Sequence, residues 1–240
     1  VSIIDLDKNK KVHEIKVGRH PEGVTFLGDT HKLATAVYDD DVVVFLDADT
    51  GKQLGQTEVF DEPYGIVSTS TGDKVYVTLD YPGRIVEINT KTQKVSNEFS
   101  VGQHVKGLAI SNDDQSLFST EYYTALVRQT DAKTGKTIDE WEGGSTDNLA
   151  RQITLHPRRA KAYLPHIRSR ITVAHGAGSI FPIVSIVDTK PADGSRRKKI
   201  PMDSFQGARV TSNPWDTAIT PDGKTFFVVF AGTDDMFVCN

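Results

Sequence analysis

The turn Asp47-Ala-Asp-Thr-Gly-Lys52 decides the fold, because related turns recur at a regular interval along the chain. Asn89-Thr-Lys-Thr-Gln-Lys94 follows 42 residues later, and Asp131-Ala-Lys-Thr-Gly-Lys136 follows after another 42. One interval upstream lies Asp5-Leu-Asp-Lys-Asn-Lys10. A turn repeated at a period near 40 residues indicates an array of similar structural units.

Each unit contains four short runs rich in Val, Ile, Thr, Tyr and Phe, which favour β-strands. In the third unit these runs are Gly107–Ile110, Leu117–Thr120, Ala125–Gln129 and Thr137–Glu142. Polar turns separate the runs, and no window shows the apolar periodicity of a helix. Four antiparallel strands in a unit of this length are typical of a β-propeller blade. The sequence therefore predicts an all-β fold, a β-propeller of four-stranded antiparallel blades.

The repeat divides residues 1–240, taken as a single domain, into six units. They are a partial blade (1–19), four full blades (20–61, 62–103, 104–147 and 148–212) and a second partial blade (213–240). The two partial blades duplicate one strand instead of completing each other. Because an open blade edge leaves backbone groups unpaired, we expect these units to belong to a longer propeller of seven blades.

Composition narrows the function classes. The chain has 240 residues, of which 38% are hydrophobic and 25% are charged, as expected for a globular protein. No apolar stretch approaches the roughly 18 residues that a membrane span needs, and no apolar leader follows Val1. A single cysteine, Cys239, excludes an internal disulfide, a cysteine-built zinc site and a CxxCH haem attachment within these residues.

Charge is distributed unevenly. Residues 148–199 contain 11 Lys and Arg against two Asp, and no acidic residue lies between Asp147 and Asp188. Within this region, residues 165–181 form an insertion relative to the other units, which we expect to be a loop over the mouth of the central channel. Arg158 and Arg159 belong to a turn on the opposite face.

The insertion contains four residues that we expect to form a partner-binding loop: His166, Arg168, Arg170 and His175. A basic loop on an acidic protein would steer an acidic protein, a haem propionate or a small anion. The alternative is a solvated loop whose arginines pair with acidic turns. The two histidines could also act as an axial ligand or a proton relay beside a redox cofactor.

The signature Lys74-Val-Tyr-Val-Thr-Leu-Asp80 resembles the repeat of the seven-bladed propellers named for Tyr-Val-Thr-Asn, a group with WD40-like repeats. Leu79 replaces the asparagine. Pro63-Tyr-Gly65 and Pro221-Asp-Gly-Lys224 are also typical of this family. The resemblance covers nearly the whole chain. It implies the fold strongly and the function weakly, since such propellers serve many unrelated roles.

A narrower resemblance rests on Ala162-Tyr-Leu-Pro-His-Ile-Arg168 and Phe181-Pro-Ile-Val-Ser-Ile-Val-Asp188. These stretches are similar to periplasmic propellers that are fused to or assembled with c-type cytochromes, such as the haem-free propeller subunit of hydrazine synthase. The resemblance implies an exported, periplasmic protein in a hetero-oligomer with cytochrome subunits. Any haem would then belong to a partner chain, and no cofactor is expected in this one.

Polar residues are predicted to ring the channel mouth. His20, Glu62 and His104 precede the innermost strand of three successive blades, with Leu149 and Asn213 at the same position in later units. Two imidazoles and a carboxylate could bind zinc. However, His20 and His104 lie two blades apart, so we expect no metal and interpret the ring as polar caps on strand starts.

The same ring suggests a second function. Some relatives in the broad propeller superfamily resemble lactonases, which implies Glu62 or His104 as a base and Arg151 as an anion clamp. No nucleophile elbow, phosphate-binding loop or HExxH motif supports catalysis. The run Arg196-Arg-Lys-Lys199 is interpreted as a solvated turn, so no nucleic acid is expected.

The leading hypothesis is a non-catalytic docking scaffold in an exported, cytochrome-containing redox complex. The alternative is a lactonase-like hydrolase or a small-ligand-binding propeller that uses the channel mouth.

Overall fold

In the computed structural model, the chain is built from antiparallel β-sheets arranged as a β-propeller with five blades, which confirms the predicted fold class. The structure describes residues 1–172, 177–190, 196–203 and 211–240. Among them, helical structure is limited to one 3₁₀ turn, Tyr38–Asp40. None of the described residues forms a helix that could cross a bilayer.

A two-stranded sheet precedes three regular blades. The sheet consists of β1 (Ser2–Asp5) and β2 (Lys10–Glu14). Blade 1 contains β3 (Pro21–Phe26), β4 (Lys32–Val37), β5 (Val42–Asp47) and β6 (Gln53–Glu58). Blade 2 contains β7 (Pro63–Ser68), β8 (Lys74–Leu79), β9 (Arg84–Asn89) and β10 (Lys94–Ser100). Blade 3 contains β11 (Val105–Ile110), β12 (Ser116–Glu121), β13 (Val127–Asp131) and β14 (Thr137–Trp141). Within each blade, consecutive strands are hydrogen-bonded neighbours.

The last two blades are less regular. Blade 4 begins with two short pieces, β15 (Asp147–Asn148) and β16 (Thr154–Leu155), which pair with different parts of the same strand. That strand is β17 (Lys161–Thr172), followed by β18 (Ala177–Asp188) and β19 (Arg197–Pro201). Blade 5 contains β20 (Pro214–Ile219), β21 (Phe226–Phe230) and β22 (Asp235–Cys239).

The expectation of a long loop in blade 4 is wrong over most of its length. Residues 165–172 and 177–181 belong to β17 and β18, which pair in unbroken register from Lys161 with Asp188 to Thr172 with Ala177. Both strands have 12 residues, whereas β4 and β5 have six each. The insertion therefore lengthens a β-hairpin, whose backbone groups satisfy each other.

Two repeated residue types explain how neighbouring blades fit together. A Cβ atom on Gly65 would lie 2.4 Å from the carbonyl oxygen of Lys106 in blade 3, so glycine permits the close approach of the inner strands. Beside it, the buried Thr78 hydroxyl donates to the same carbonyl at 2.6 Å and accepts the Gly65 N–H at 2.8 Å. Thr120 repeats this arrangement in blade 3 with Gly107 and Ala150. The threonine of the repeat signature thus links one blade to the next.

The flanks of the blade series expose positions that are buried between blades elsewhere. Val24 is 57% exposed, but its register equivalents Ile66, Leu108 and Ile153 are 5–6% exposed. Val229 in blade 5 is 38% exposed, whereas Ala36, Thr78 and Thr120 at the same register are fully buried. These two apolar flanks are therefore sheet faces without a neighbouring blade among the described residues.

Candidate functional site

The five residues that precede the inner strands share an unusual backbone conformation. Each has a positive φ between 45° and 59°, the left-handed region that favours glycine. They are His20, Glu62, His104, Leu149 and Asn213. In three regular blades the carbonyl at this position accepts the N–H of the residue after the second strand, namely Tyr38, Asp80 and Tyr122. The backbone at the channel mouth therefore repeats as the sequence register predicts.

Side chains from all five blades meet on the propeller axis. Lys106, on the inner strand of blade 3, places its ammonium 5.4 Å from the Tyr38 ring centroid, 4.6 Å from Tyr64 and 4.7 Å from Tyr122. These tyrosines belong to blades 1, 2 and 3. Contacts among several blades require a central position, so the aromatic faces form a cage around the cation. We call Glu22, Tyr38, Tyr64, Asp80, Lys106, Tyr122, Arg151 and Trp215 the axial cluster.

Asp80 supplies the negative charge beside the caged cation. Its Oδ2 atom lies 3.0 Å from the Lys106 ammonium and accepts a hydrogen bond of 3.0 Å from the Tyr38 hydroxyl. The other oxygen, Oδ1, lies 3.3 Å from Nδ1 of His104. Burial and the Asp80 carboxylate raise the pKa of Tyr38, so this phenol stays protonated as a hydrogen-bond donor. The arrangement neutralises Lys106 within the chain.

Arg151 forms the second cationic centre of the axial cluster. Its guanidinium lies 4.2 Å from the Trp215 ring centroid and 5.1 Å from that of Tyr122. It also donates hydrogen bonds to the Tyr122 hydroxyl at 2.9 Å and to Oδ1 of Asn213 at 3.2 Å. Stacking and directed hydrogen bonds together fix the guanidinium plane. The Arg151 side chain is therefore held in one orientation and connects blades 3, 4 and 5.

Glu22 closes the cluster on the side of blade 1. Its carboxylate lies 3.0 Å from Nε2 of His20. Burial raises the pKa of Glu22, although His20, Lys106 and Arg151 act in the opposite direction. Burial likewise raises the pKa of Asp216, on the inner strand of blade 5. Carboxyl groups with raised pKa values can act in proton transfer. Buried carboxyl groups with a purely structural role show the same shift.

The predicted ring residues have different partners in the structure. His20 is exposed and contacts Glu22 and Asp39. His104 contacts Asp80 and stacks edge-on against Tyr123. Glu62 is half-buried, with its backbone N–H bound to Asp41. Among the described residues, no three His, Cys, Asp or Glu side chains are arranged to hold a metal ion.

Sequence reasoning found Arg151 but missed most of the axial cluster. Tyr38, Asp80 and Tyr122 lie 42 residues apart, and so do Glu22, Tyr64 and Lys106. Both sets keep the register of the repeat. The missed signal was therefore a polar or aromatic residue two positions after each ring residue, where an inner strand points toward the axis.

His166 was expected in a partner-binding loop, but it lies within β17 with a fully buried side chain. Its Nδ1 donates to the carbonyl of Ile167 at 3.0 Å, and its Nε2 accepts the Ser185 hydroxyl at 2.8 Å. Arg197 donates to the same Ser185 oxygen at 3.0 Å. Burial lowers the pKa of His166 to about 4, so the imidazole is neutral. It has a structural position and no access to a partner's surface.

The other three residues of the predicted loop have separate outcomes. Arg168 is half-buried on β17 and places its guanidinium 5.0 Å from the Phe181 ring centroid on β18. Arg170 is on β17, opposite Ser179. His175 lies outside the described residues. The exposed residue that the sequence analysis overlooked here is Ile180 on β18, which is 65% exposed.

Comparison with known proteins supports the fold. No protein-family profile matches the chain, and no curated protein sequence matches it. A solved chain of hydrazine synthase from Kuenenia stuttgartiensis is similar, with a TM-score of 0.86 and 19% sequence identity over 99% of this chain and 69% of that chain. A chain from a crystal structure of the mitotic checkpoint complex has a TM-score of 0.71 and 14% identity, over 99% of this chain and 67% of that chain. At these identities the similarity shows a shared propeller fold.

Proposed function

We propose that this protein is a non-catalytic docking scaffold that binds a partner protein through the extended hairpin of blade 4. The hairpin carries the proposal: β17 and β18 are twice as long as β4 and β5 and expose a large apolar residue, Ile180. An exposed apolar side chain on a long paired hairpin suits an interface anchor. Arg168, stacked on Phe181 on the other face of the hairpin, adds a positive charge to this element, which favours an acidic partner.

The axial cluster supports a scaffold over a catalyst. Lys106 is neutralised by Asp80 and enclosed by three tyrosines, and Arg151 is held by Tyr122, Trp215 and Asn213. Catalysis needs a positioned group that is available to substrate. Here the contacts of Lys106 and Arg151 are made with residues of neighbouring blades. These contacts stabilise the arrangement of the blades.

The finer proposal is an exported subunit of a cytochrome-containing redox complex, in a periplasmic compartment, with haem on a partner chain. Its support is the resemblance of the blade 4 hairpin to propellers of such complexes. The two similar solved chains come from structures named for hydrazine synthase and for the mitotic checkpoint complex. We propose further blades of the same kind, seven in total, to cover the exposed flanks at Val24 and Val229.

The test compares two matched substitutions in affinity purification from the native source. Ile180→Lys on the hairpin and Ile138→Lys on β14 each place a charge at an exposed isoleucine. We expect a defined partner, identified by mass spectrometry and with the visible spectrum of a c-type haem, to be lost only with Ile180→Lys. Replacing residues 169–180 by Asn-Gly, a turn that joins paired strands, should have the same effect because it removes Ile180 and preserves the pairing of Arg168 with Phe181.

Two results would overturn the proposal. One is retention of the partner by both hairpin variants. The other is lactone hydrolysis by the purified protein that disappears in Glu62→Gln, since this would make the channel mouth an active site.

A further inference from the structure

A groove of about 380 Å³ lies between blades 3 and 4, on the turns that connect first and second strands. Four cationic side chains line it: Arg158, Arg159, Lys161 and Lys190. Ser111 and Asn112 contribute polar atoms from the blade 3 turn, and Asp113 contributes one carboxylate. The groove is thus strongly basic on a protein whose net charge is −4.

The basic turn reverses the charge of its equivalents. Arg158 occupies the register position of Asp29, Asp113 and Asp222 in blades 1, 3 and 5. Asp113 and Asp222 stabilise their turns by accepting hydrogen bonds from a hydroxyl and a backbone N–H. In these blades a carboxylate therefore stabilises the turn through its hydrogen bonds. Two arginines in the same turn need a different explanation.

Blade 4 replaces the missing carboxylate with a buried histidine. The Nδ1 atom of His156 accepts the backbone N–H groups of Arg158 and Arg159, each at 3.0 Å. The amide of Asn112 donates to the carbonyl of Pro157 at 3.0 Å, which ties the turn to blade 3. The backbone is fixed while both guanidiniums stay exposed. Binding of a ligand to these guanidiniums would therefore not carry the entropy cost of ordering the loop.

Three of the four cations in the groove form no close ion pair among the described residues, although Asp113 attracts Lys190 and Asp222 attracts Arg158 over longer distances. Lys161 lies 3.5 Å from a carboxylate oxygen of Asp188. For Arg158, Arg159 and Lys190, no carboxylate oxygen of the described residues lies within 4 Å. Clustered like charges in a rigid groove repel each other. An anion that bound there would relieve this repulsion.

The geometry points to a binding site for a small molecule that carries a phosphate or diphosphate group. Guanidinium forks match the oxygens of a phosphate, and Lys190 adds a compact third charge. Asn112 also lines the groove, and the amide hydrogen that does not bind Pro157 can contact a remaining phosphate oxygen. The volume is within the range of small-ligand pockets. The site is separate from the proposed partner-binding hairpin and stands or falls independently of it.

The test is calorimetric titration of the 240-residue chain with inorganic pyrophosphate at low ionic strength, with amide NMR shifts to locate the site. We expect saturable binding that shifts Ser111 and Asn112. Arg158→Gln/Arg159→Gln should weaken binding by about tenfold or more, the usual effect of losing charge-assisted hydrogen bonds. Lys190→Gln, which leaves the turn intact, should also weaken it.

The matched control is Arg19→Gln/Arg84→Gln, which removes two exposed arginines that are paired with Asp40 and Glu98 on other blades. Its affinity should stay within about twofold of wild type because screened distant charges contribute little. Equal weakening by both double variants would overturn the proposal, as would no saturation below about 10 mM. Tighter binding of a hexaglutamate peptide than of pyrophosphate would also overturn it, since the groove would then be a protein-binding surface.

Discussion

Lys106 shows how one side chain joins a propeller at its axis. Its ammonium contacts Tyr38, Tyr64 and Tyr122 and pairs with Asp80, which belongs to blade 2. Removing one member of a buried ion pair leaves the other charge uncompensated, which costs more than the pair contributes. Lys106 and Asp80 are therefore expected to depend on each other.

Lys106→Met should lower the free energy of unfolding by about 3 kcal/mol, because Asp80 then lacks its cation. Urea denaturation measures the change, with Lys94→Met on exposed strand β10 as the control. Combining Lys106→Met with Asp80→Asn should recover part of the loss. If the double variant is as unstable as the sum of the single variants, the two charges are not coupled.

His166 predicts a specific dependence of stability on pH. Its pKa is about 4 in the folded chain, against an ordinary value of 6.5, and Asp147, Arg197 and Lys199 are the charged groups around it. Between these pH values the unfolded chain binds more protons, so the free energy of unfolding falls as the pH drops from 6.5 toward 4. One proton gives a slope of at most about 1.4 kcal/mol per pH unit.

His166→Gln should remove this slope, while His31→Gln at an exposed turn should keep it. Denaturation midpoints measured between pH 4.5 and 7 test the difference. A slope that is unchanged in His166→Gln would mean that another group titrates in this range.

At the scale of elements, the repeat signature owes its threonine to blade packing. The Thr78 hydroxyl connects Gly65 on its own blade with Lys106 on the next, and Thr120 does the same one blade later. Thr78→Val keeps the shape of the side chain but leaves buried partners unsatisfied, which should cost about 1–3 kcal/mol. Thr137→Val, on exposed strand β14, is the matched control and should have almost no effect. Thermal or urea unfolding distinguishes the two; equal effects would contradict the linking role.

The sequence predicted strand positions well where the repeat is regular. In blade 3 the four predicted runs lie within about two residues of β11 to β14. It failed at the blade 4 insertion because a basic stretch was interpreted as a partner-binding loop. The segment Ile167-Arg-Ser-Arg-Ile171 alternates charged residues with apolar or small ones. This alternation is typical of a β-strand with one solvent-exposed face.

The axial cluster was predictable only in part. The repeat register identified the ring at His20, Glu62 and His104, but ring position says nothing about which side chains converge. Convergence depends on the direction of each inner strand and on long side chains from non-adjacent blades, as Lys106 and Tyr38 show. Such contacts have no local sequence signature.

At the scale of the whole molecule, the two exposed flanks are the surfaces most prone to association. Val24 and Phe26 on one flank and Val229 on the other present apolar sheet faces to solvent. Exposed faces of this kind drive association. The exposed faces therefore favour association, and either further blades or a second copy of the chain would bury them.

We expect the 240-residue chain to self-associate in a concentration-dependent manner, and Val24→Lys/Val229→Lys to suppress this. Sedimentation velocity measures both. Val95→Lys/Ile138→Lys, at exposed apolar residues on the outer strands of blades 2 and 3, should leave association unchanged. A wild-type chain that stays monomeric at about 100 μM, well above typical affinities for such faces, would contradict the expectation.

The left-handed backbone at Glu62 and His104 has a consequence for chemical synthesis. A mirror-image amino acid prefers this region of φ and ψ, as an ordinary one prefers its reflection. D-glutamate or D-histidine at these two sites should therefore be accepted by the backbone and redirect the functional group. Peptide ligation could thus re-aim the rim of the central opening and leave every sheet as it is.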